Sequence, residues 1–209
     1  TPTATRLADQ TWMRRHLGAH QVVLTDVTSA EAVLAIMGPR SRELLQRLSP
    51  NDFSNARNPF GTAQQIEIGM AIGRAHRVSY VGELGWEIYV PSEFAAHTLE
   101  VMLDAGQDTG LKLCGLHAMD SCRTEKAFRH FGHDITCEDN VIDAGLGFAV
   151  QTGKADFIGR DAVLRRKQTG PKARMVQFKL TDAEPLLYHA ESILRDGQVC
   201  GYLSSGSYG

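Results

Sequence analysis

The residue types best suited to chemistry converge on one stretch, Tyr80-Val-Gly-Glu-Leu-Gly-Trp-Glu-Ile-Tyr-Val-Pro91. Ser79, Tyr80 and Val81 close one β-rich run, and Trp86 to Val90 open another. Gly82-Glu-Leu-Gly85 between them reads as a tight hairpin link. Strand alternation puts Trp86, Ile88 and Val90 on one face and Glu87 and Tyr89 on the other. An aromatic ring, Tyr80, and a carboxylate, Glu87, are thereby expected at nearby positions on a rigid support. Such a pair suits a flat heterocycle rich in N–H donors. The ring packs beside it, and the carboxylate offers two acceptor oxygens to adjacent donors. The competing reading makes Glu87 a solvated residue on the outer face of an amphipathic strand, and alternation alone does not choose.

Other candidates are less specific. His130-Phe-Gly-His133-Asp134, with Cys137 nearby, contains metal-ligand types, but zinc needs three or four ligands of defined geometry. Gly132 between the histidines argues instead for a turn stabilised by Asp134. Arg123, Glu125 and Lys126 fall on a predicted helix. Asp120 and Arg123 are spaced i, i+3, which predicts a surface pair worth roughly a few tenths of a kcal/mol. If that helix packs beside the hairpin, Arg123 instead meets an anionic part of a ligand. Gly145-Leu-Gly147-Phe148 lacks the third glycine of a dinucleotide fingerprint, and no P-loop or G-x-S-x-G is present. A flavin or nicotinamide motif serving this protein would therefore lie outside this chain.

The elements that must position these residues follow from periodicity and punctuation. An amphipathic helix is expected over 7–17, stopped by Gly18. Strands are expected over 21–26, 32–37 (with a helix as alternative), 63–70 and 76–80. Gly38-Pro39 ends the second of these, and Pro39 can open the next helix, marked by Leu44, Leu45 and Leu48. Residues 51–60 are loop. A helix runs from Pro91 to about Gln107, with Phe94, Leu99, Met102 and Leu103 as its buried stripe. Another spans 116–128, with Leu116, Met119 and Cys122 at helical spacing. After Thr152 the pattern changes to a short helix over 161–167 and strands over 175–180, 192–194 and 199–203, with a turn at Arg195-Asp-Gly197. The class is mixed α+β, with a β-rich second domain that is begun but not finished.

Composition excludes several functions. The 209 residues are 43% hydrophobic and 22% charged, ordinary for a globular protein. A formal charge of -2 and pI of about 6.4 give no footprint for nucleic acid or an anionic membrane. No apolar run approaches the roughly 20 residues of a membrane span. Cys114, Cys122, Cys137 and Cys200 contain no C-x-x-C pair, which fits reduced thiols in a cytoplasmic protein. Thr1 is not an initiator Met, and the glycine-rich end at Gly201–Gly209 leaves a strand without a partner. Both features suggest a piece of a longer chain.

Taken together, the quoted motifs resemble the folate-binding aminomethyltransferase family. It includes the T-protein of glycine cleavage and the carboxy-terminal modules of dimethylglycine and sarcosine dehydrogenases. The markers run in order along nearly the whole chain. They are Met37-Gly-Pro-Arg-Ser41, Tyr80-Val-Gly-Glu-Leu-Gly-Trp-Glu87, Gly132-His-Asp134 with Glu138, Ala144-Gly-Leu-Gly-Phe148, and Lys154 with Asp156-Phe-Ile-Gly-Arg160. Trp12-Met-Arg-Arg-His-Leu17 and Glu184-Pro-Leu-Leu-Tyr-His189 look closer to the demethylating dehydrogenases.

The resemblance implies a T-protein-like cloverleaf of small α/β domains plus the start of a carboxy-terminal β-barrel. Residues 1–152 would be the folate-binding α/β region and 153–209 the incomplete barrel domain. It implies tetrahydrofolate as cofactor, with FAD only if an oxidase domain lies upstream. Tyr80 and Glu87 would contact folate, with Glu87 gripping the pterin amino and N–H edge. Arg123 matches a helix arginine, but an Ala-Arg-Asp contact of the T-protein is replaced here by Ala118-Met-Asp120. The family's folate-orienting Asp is expected before residue 1, and the barrel residues that close the pocket after Gly209. The Lys-Gly-Cys-Tyr-x-Gly-Gln-Glu box of the iron–sulfur assembly relative does not occur. The implied partners are a small-molecule amine and either an upstream FAD-dependent domain or a lipoyl carrier protein. A non-catalytic module of the same fold is the third possibility.

Overall fold

The computed structural model describes residues 3–208. It is mixed α+β and divides into two compact units, Thr1–Val78 with Gly85–Leu111, and Ser79–Leu84 with Lys112–Gly209.

The first unit holds helices α1 (Arg6–Arg15), α2 (Ser41–Leu48) and α3 (Ala95–Gly106) and strands β1 (Glu31–Met37), β2 (Ala63–Ile68), β3 (Ala71–His76) and β4 (Gly85–Pro91). The strands form one antiparallel sheet in the order β1-β4-β3-β2. One sheet face is apolar. Trp86, Ile88 and Val90 of β4 are wholly buried there with Ile36, Ile66, Ile68 and Ala75. The apolar sides of α2 (Leu44, Leu45) and α3 (Met102) complete that core. Burying one such side chain stabilises by about 1.5–3 kcal/mol, so the alternating residues of β4 anchor the unit. The buried stripe of α3 centres on Thr98, Met102 and Gly106, with the expected Phe94, Leu99 and Leu103 only half-buried at its margin.

β1 is a strand and not a helix, because every one of its residues pairs with β4, from Glu31↔Pro91 to Met37↔Gly85. Gly38 ends it at φ 128, and the Ser41 hydroxyl donates to the Gly38 carbonyl at 2.7 Å. α2 begins after an Arg40 cap, so Pro39 lies outside the helix and not in its first turn.

Two expected strands move or vanish. Residues 21–26 are irregular and join no sheet among the described residues, leaving Val23 90% exposed. The strand expected at 76–80 lies upstream, at β3, and residues 77–84 form an irregular link. The tight hairpin is therefore β2–β3, where Ile68 pairs with Ala71 across Gly69-Met70. Gly69 there adopts φ 56, the left-handed conformation that matches strand twist in a two-residue loop.

The second unit contains α4 (Leu116–Glu125), α5 (Arg160–Thr169), and a two-stranded antiparallel sheet of β5 (Ser192–Arg195) and β6 (Gln198–Tyr202). Asp196 and Gly197 join the strands with φ 53 and 77, both positive as a type I′ turn demands. Residues 175–180 are irregular, and Val176, Phe178 and Leu180 are exposed. Gly209, at the end of the expected glycine-rich turn, lies outside the described residues. α4 buries none of its apolar stripe: Leu116 and Cys122 are exposed, and the buried residue of that helix is Arg123. Among the described residues of this unit, Arg123 and Ala144 are the fully buried ones.

Candidate functional site

Glu87 sits mid-strand in β4 on the face opposite the core, flanked by Ala35 of β1 and His76 of β3. The half-buried Glu87 carboxylate accepts a hydrogen bond from the Tyr89 hydroxyl at 2.8 Å through Oε2. Among the described residues no protein donor reaches Oε1. Alternation thus placed Glu87 and Tyr89 correctly on one face and Trp86, Ile88 and Val90 on the other.

The core side of the same strand is locked. The Trp86 indole donates to Asn58 Oδ1 at 2.5 Å, and Asn58 Nδ2 donates to Thr62 Oγ1 at 2.9 Å. Phe53 meets the indole edge-on at 5.6 Å, and the Arg42 and Arg77 guanidinium groups lie 5.7 and 5.6 Å from its ring centre. Burial, aided by the charge of Arg42, depresses the pKa of Arg77. A strand held this firmly by its inner face presents its outer residues at fixed positions.

Tyr80 belongs to the second unit, in the irregular link and not on a hairpin strand. Its ring stacks on Phe128 at 6.3 Å with 15° between planes, and its hydroxyl donates to the Arg129 carbonyl at 3.2 Å. Burial raises its pKa, opposed by the charge of Arg123.

Arg123 forms the expected i, i+3 pair with Asp120, but from a buried position and not on the surface. Its side chain is 4% exposed and lies among protein acceptors. Nε donates to Asp120 at 3.1 Å, Nη1 to the Phe128 carbonyl and to Asp134, and Nη2 to Ser205 at 2.9 Å. Asp134 also accepts from the hydroxyls of Ser204 and Ser205 and from the His130 backbone N–H. Burial works against this carboxylate. The bonds from Ser205, His130 and Ser204 and the charge of Arg123 outweigh it, and they hold its pKa below the ordinary value.

Asp134 therefore does stabilise the turn, with its own N–H donating back to the His130 carbonyl at 2.8 Å. The His130 and His133 rings lie 5.8 Å apart, and among the described residues no group of three or more His, Cys, Asp or Glu is placed to hold a metal. The bond network lies beside a cavity of about 620 Å³ in this unit, lined also by Phe128, Arg129, Phe178 and Leu187. Sequence reading missed the Asp134 partnership with Arg123 because no periodic pattern joins a helix residue to a turn and to Ser205.

Residues 1–154 match the family model described as the GCVT N-terminal domain. The chain belongs to that family. It is 40% identical over its whole length to 4-methylaminobutanoate oxidase (formaldehyde-forming) of Paenarthrobacter nicotinovorans, of which it spans 26%. It is 35% identical over 96% of its length to an aminomethyltransferase of Caldanaerobacter subterraneus, spanning 53% of it. Identity to the mitochondrial dimethylglycine dehydrogenase of Homo sapiens is 35% over the whole chain and 24% of that protein. The structure resembles the glycine cleavage system aminomethyltransferase T of Bartonella henselae with a TM-score of 0.82, at 28% identity, covering 98% of this chain and 55% of that one. The GCVT-family chain thus spans between a quarter and about half the length of these relatives. Among its described residues no helix is long and apolar enough to cross a membrane, and all four cysteines are free and exposed.

Proposed function

We propose that this GCVT-family chain is the tetrahydrofolate-dependent one-carbon transfer module of an N-methyl amine dehydrogenase or oxidase of the cytoplasm. The observation that carries the reading is Glu87. It stands on the outer sheet face of β4 inside the family's marker stretch, with one carboxylate oxygen held by Tyr89 and the other without a donor among the described residues.

An acceptor placed this way fits the adjacent amino and N–H groups of a pterin. Bound tetrahydrofolate supplies the nucleophilic nitrogens that take up the one-carbon unit, as 5,10-methylenetetrahydrofolate. Glu87 binds and orients the ring through its N–H edge. Tyr80, carried by the same marker stretch, is the proposed aromatic contact, and within its own unit its ring stacks on Phe128. Arg123, the proposed third contact, donates to the Phe128 carbonyl, Asp120, Asp134 and Ser205. The contribution of the protein is orientation and exclusion of water, which raises the effective concentration of reacting groups. The amine would be oxidised to an iminium by an FAD-dependent domain upstream, and the demethylated amine would leave. Residues 1–152 would form the folate-binding region and 153–209 the beginning of a β-barrel domain.

A second reading rests on the 35% identity to the Caldanaerobacter aminomethyltransferase. In it the chain serves a stand-alone aminomethyltransferase that receives its carbon from a lipoyl carrier protein.

Calorimetric titration of 5-formyltetrahydrofolate into the full-length protein and its Glu87→Gln variant tests the proposal. Loss of one charge-assisted contact weakens binding by about ten- to a hundredfold. Unchanged affinity returns Glu87 to a solvated face, and no binding to either protein leaves a non-catalytic module. Full-length protein that oxidises an N-methyl amine yet never forms methylenetetrahydrofolate would refute the transfer step.

A further inference from the structure

The protein donor to the Glu87 carboxylate is Tyr89. It stands on the same strand face, two residues on, and donates its phenolic hydrogen to Oε2 at 2.8 Å. The phenol is itself braced from β3 and, through Arg74, from β1. Its ring lies 4.5 Å from that of His76, the β3 residue in register with Glu87. The Arg74 guanidinium lies 5.7 Å from its centre, and Arg74 is in register with Tyr89. Arg74 is in turn paired with Glu31 of β1 at 2.7 Å.

A glutamate on an open sheet face has rotatable torsions that a ligand must freeze on binding. A phenol braced in this way removes much of that freedom beforehand. It also takes Oε2 and leaves Oε1 without a donor among the described residues. A carboxylate with Oε1 open and a second lone pair left on Oε2, presented from a fixed direction, is preorganised for a two-donor edge arriving from that direction.

We propose that Tyr89 is a positioning residue that fixes the Glu87 carboxylate for a ligand of the aminopyrimidinone class, whose amino and ring N–H groups lie side by side. The inference rests on the reading of Glu87 as a folate contact. The phenol keeps its proton at any physiological pH. Burial, with the bond to Glu87 and the charge of that carboxylate, pushes its pKa up to about 12. Arg74 acts in the opposite direction, Glu31 adds to the rise, and the His76 ring faces it from β3.

A double-mutant cycle in the full-length protein tests this, with 5-formyltetrahydrofolate as the probe and Tyr89→Phe, Glu87→Ala and the double variant as the set. Tyr89→Phe keeps the ring, so its packing on His76 is retained. It is expected to weaken binding by about three- to tenfold when Glu87 is present and to have no effect when Glu87 is Ala. A second readout needs no ligand. The difference between the alkaline absorbance titrations of the parent and Tyr89→Phe isolates this phenol from the other tyrosines. Its midpoint near 12 should fall towards 10 in Glu87→Ala.

Equal losses from Tyr89→Phe in both backgrounds, or none in either, would overturn the positioning role. The folate reading would still stand so long as Glu87→Ala weakens binding. No weakening from Glu87→Ala would remove both, and the phenol titration would then report only a bond between two surface residues.

Discussion

Arg123 and Asp134 form an ion pair at 2.5 Å with each side chain only 4% exposed. The pair sits where a small unit with few buried apolar residues would otherwise have little to hold it. It gathers α4, the turn at 130–134 and the segment at Ser204 and Ser205. Removing one partner strands a buried charge. Arg123→Ala is expected to destabilise the protein by roughly 3–5 kcal/mol, while a surface pair would contribute under about 1. Urea denaturation of the full-length protein measures the difference, and a loss below about 1 kcal/mol would return Arg123 to the surface.

The same carboxylate sets a direction for acid sensitivity. Its folded pKa lies below the ordinary aspartate value of about 3.8. The stability it contributes is therefore complete above that value and is lost as pH falls through the lower folded one. Asp134→Asn should be less stable than the parent at neutral pH, and the gap should close progressively below pH ~4. A gap that stays constant down to the acid limit would exclude this carboxylate as a source of acid lability.

Asn58 is wholly buried and joins the Trp86 indole to Thr62. Asn58→Ala leaves the indole N–H without its acceptor, at a cost of about 1–3 kcal/mol. Trp12 is 56% exposed, so the blue-shifted part of the tryptophan emission belongs to Trp86. In a Trp12→Phe background, Asn58→Ala should shift that emission to longer wavelength and lower the melting temperature together. An unchanged spectrum would show that the indole finds another partner.

Thr98 on the inner face of α3 is 0% exposed, and its hydroxyl has no hydrogen-bond partner among the described residues. A buried hydroxyl without a partner costs about 1–3 kcal/mol, and Val has nearly the same shape. Thr98→Val is therefore expected to raise stability by about 1 kcal/mol. Thermal unfolding decides it, and a lower melting temperature would mean that the hydroxyl is satisfied in solution.

The elements that read correctly were those whose local pattern agreed with their pairing. β4 announces itself by Trp86, Ile88 and Val90 alternating with Glu87 and Tyr89, and α2 by its leucines. The failures have one cause, that pairing is decided elsewhere in the chain. Gln21 to Asp26 and Met175 to Leu180 have strand composition but no partner strand among the described residues. Ala71 to His76 has weak strand composition, with Gly73 in its middle, yet lies between two partners. Arg123 was misplaced because its acceptors Asp134 and Ser205 are remote in sequence. Tyr89 shared a face with Glu87 in the sequence, but no pattern shows a phenol turned towards a carboxylate.

The strand order also constrains when the protein can fold. β4 is the last strand of its sheet in sequence yet lies between β1 and β3 in space. The β2–β3 hairpin closes over Gly69-Met70 at little entropic cost, while β1 must wait for a partner that arrives some 50 residues later. A nascent chain paused before Gly85 would have β1 unpaired, β3 with one bare edge, and Ile36, Ile66 and Ile68 without their central neighbour. Such an intermediate displays open strand edges, the feature that invites aggregation during synthesis. The strand that carries the candidate ligand contact is thus also the closing step of the sheet, and substitutions in β4 that spare stability should still be judged by their effect on folding yield.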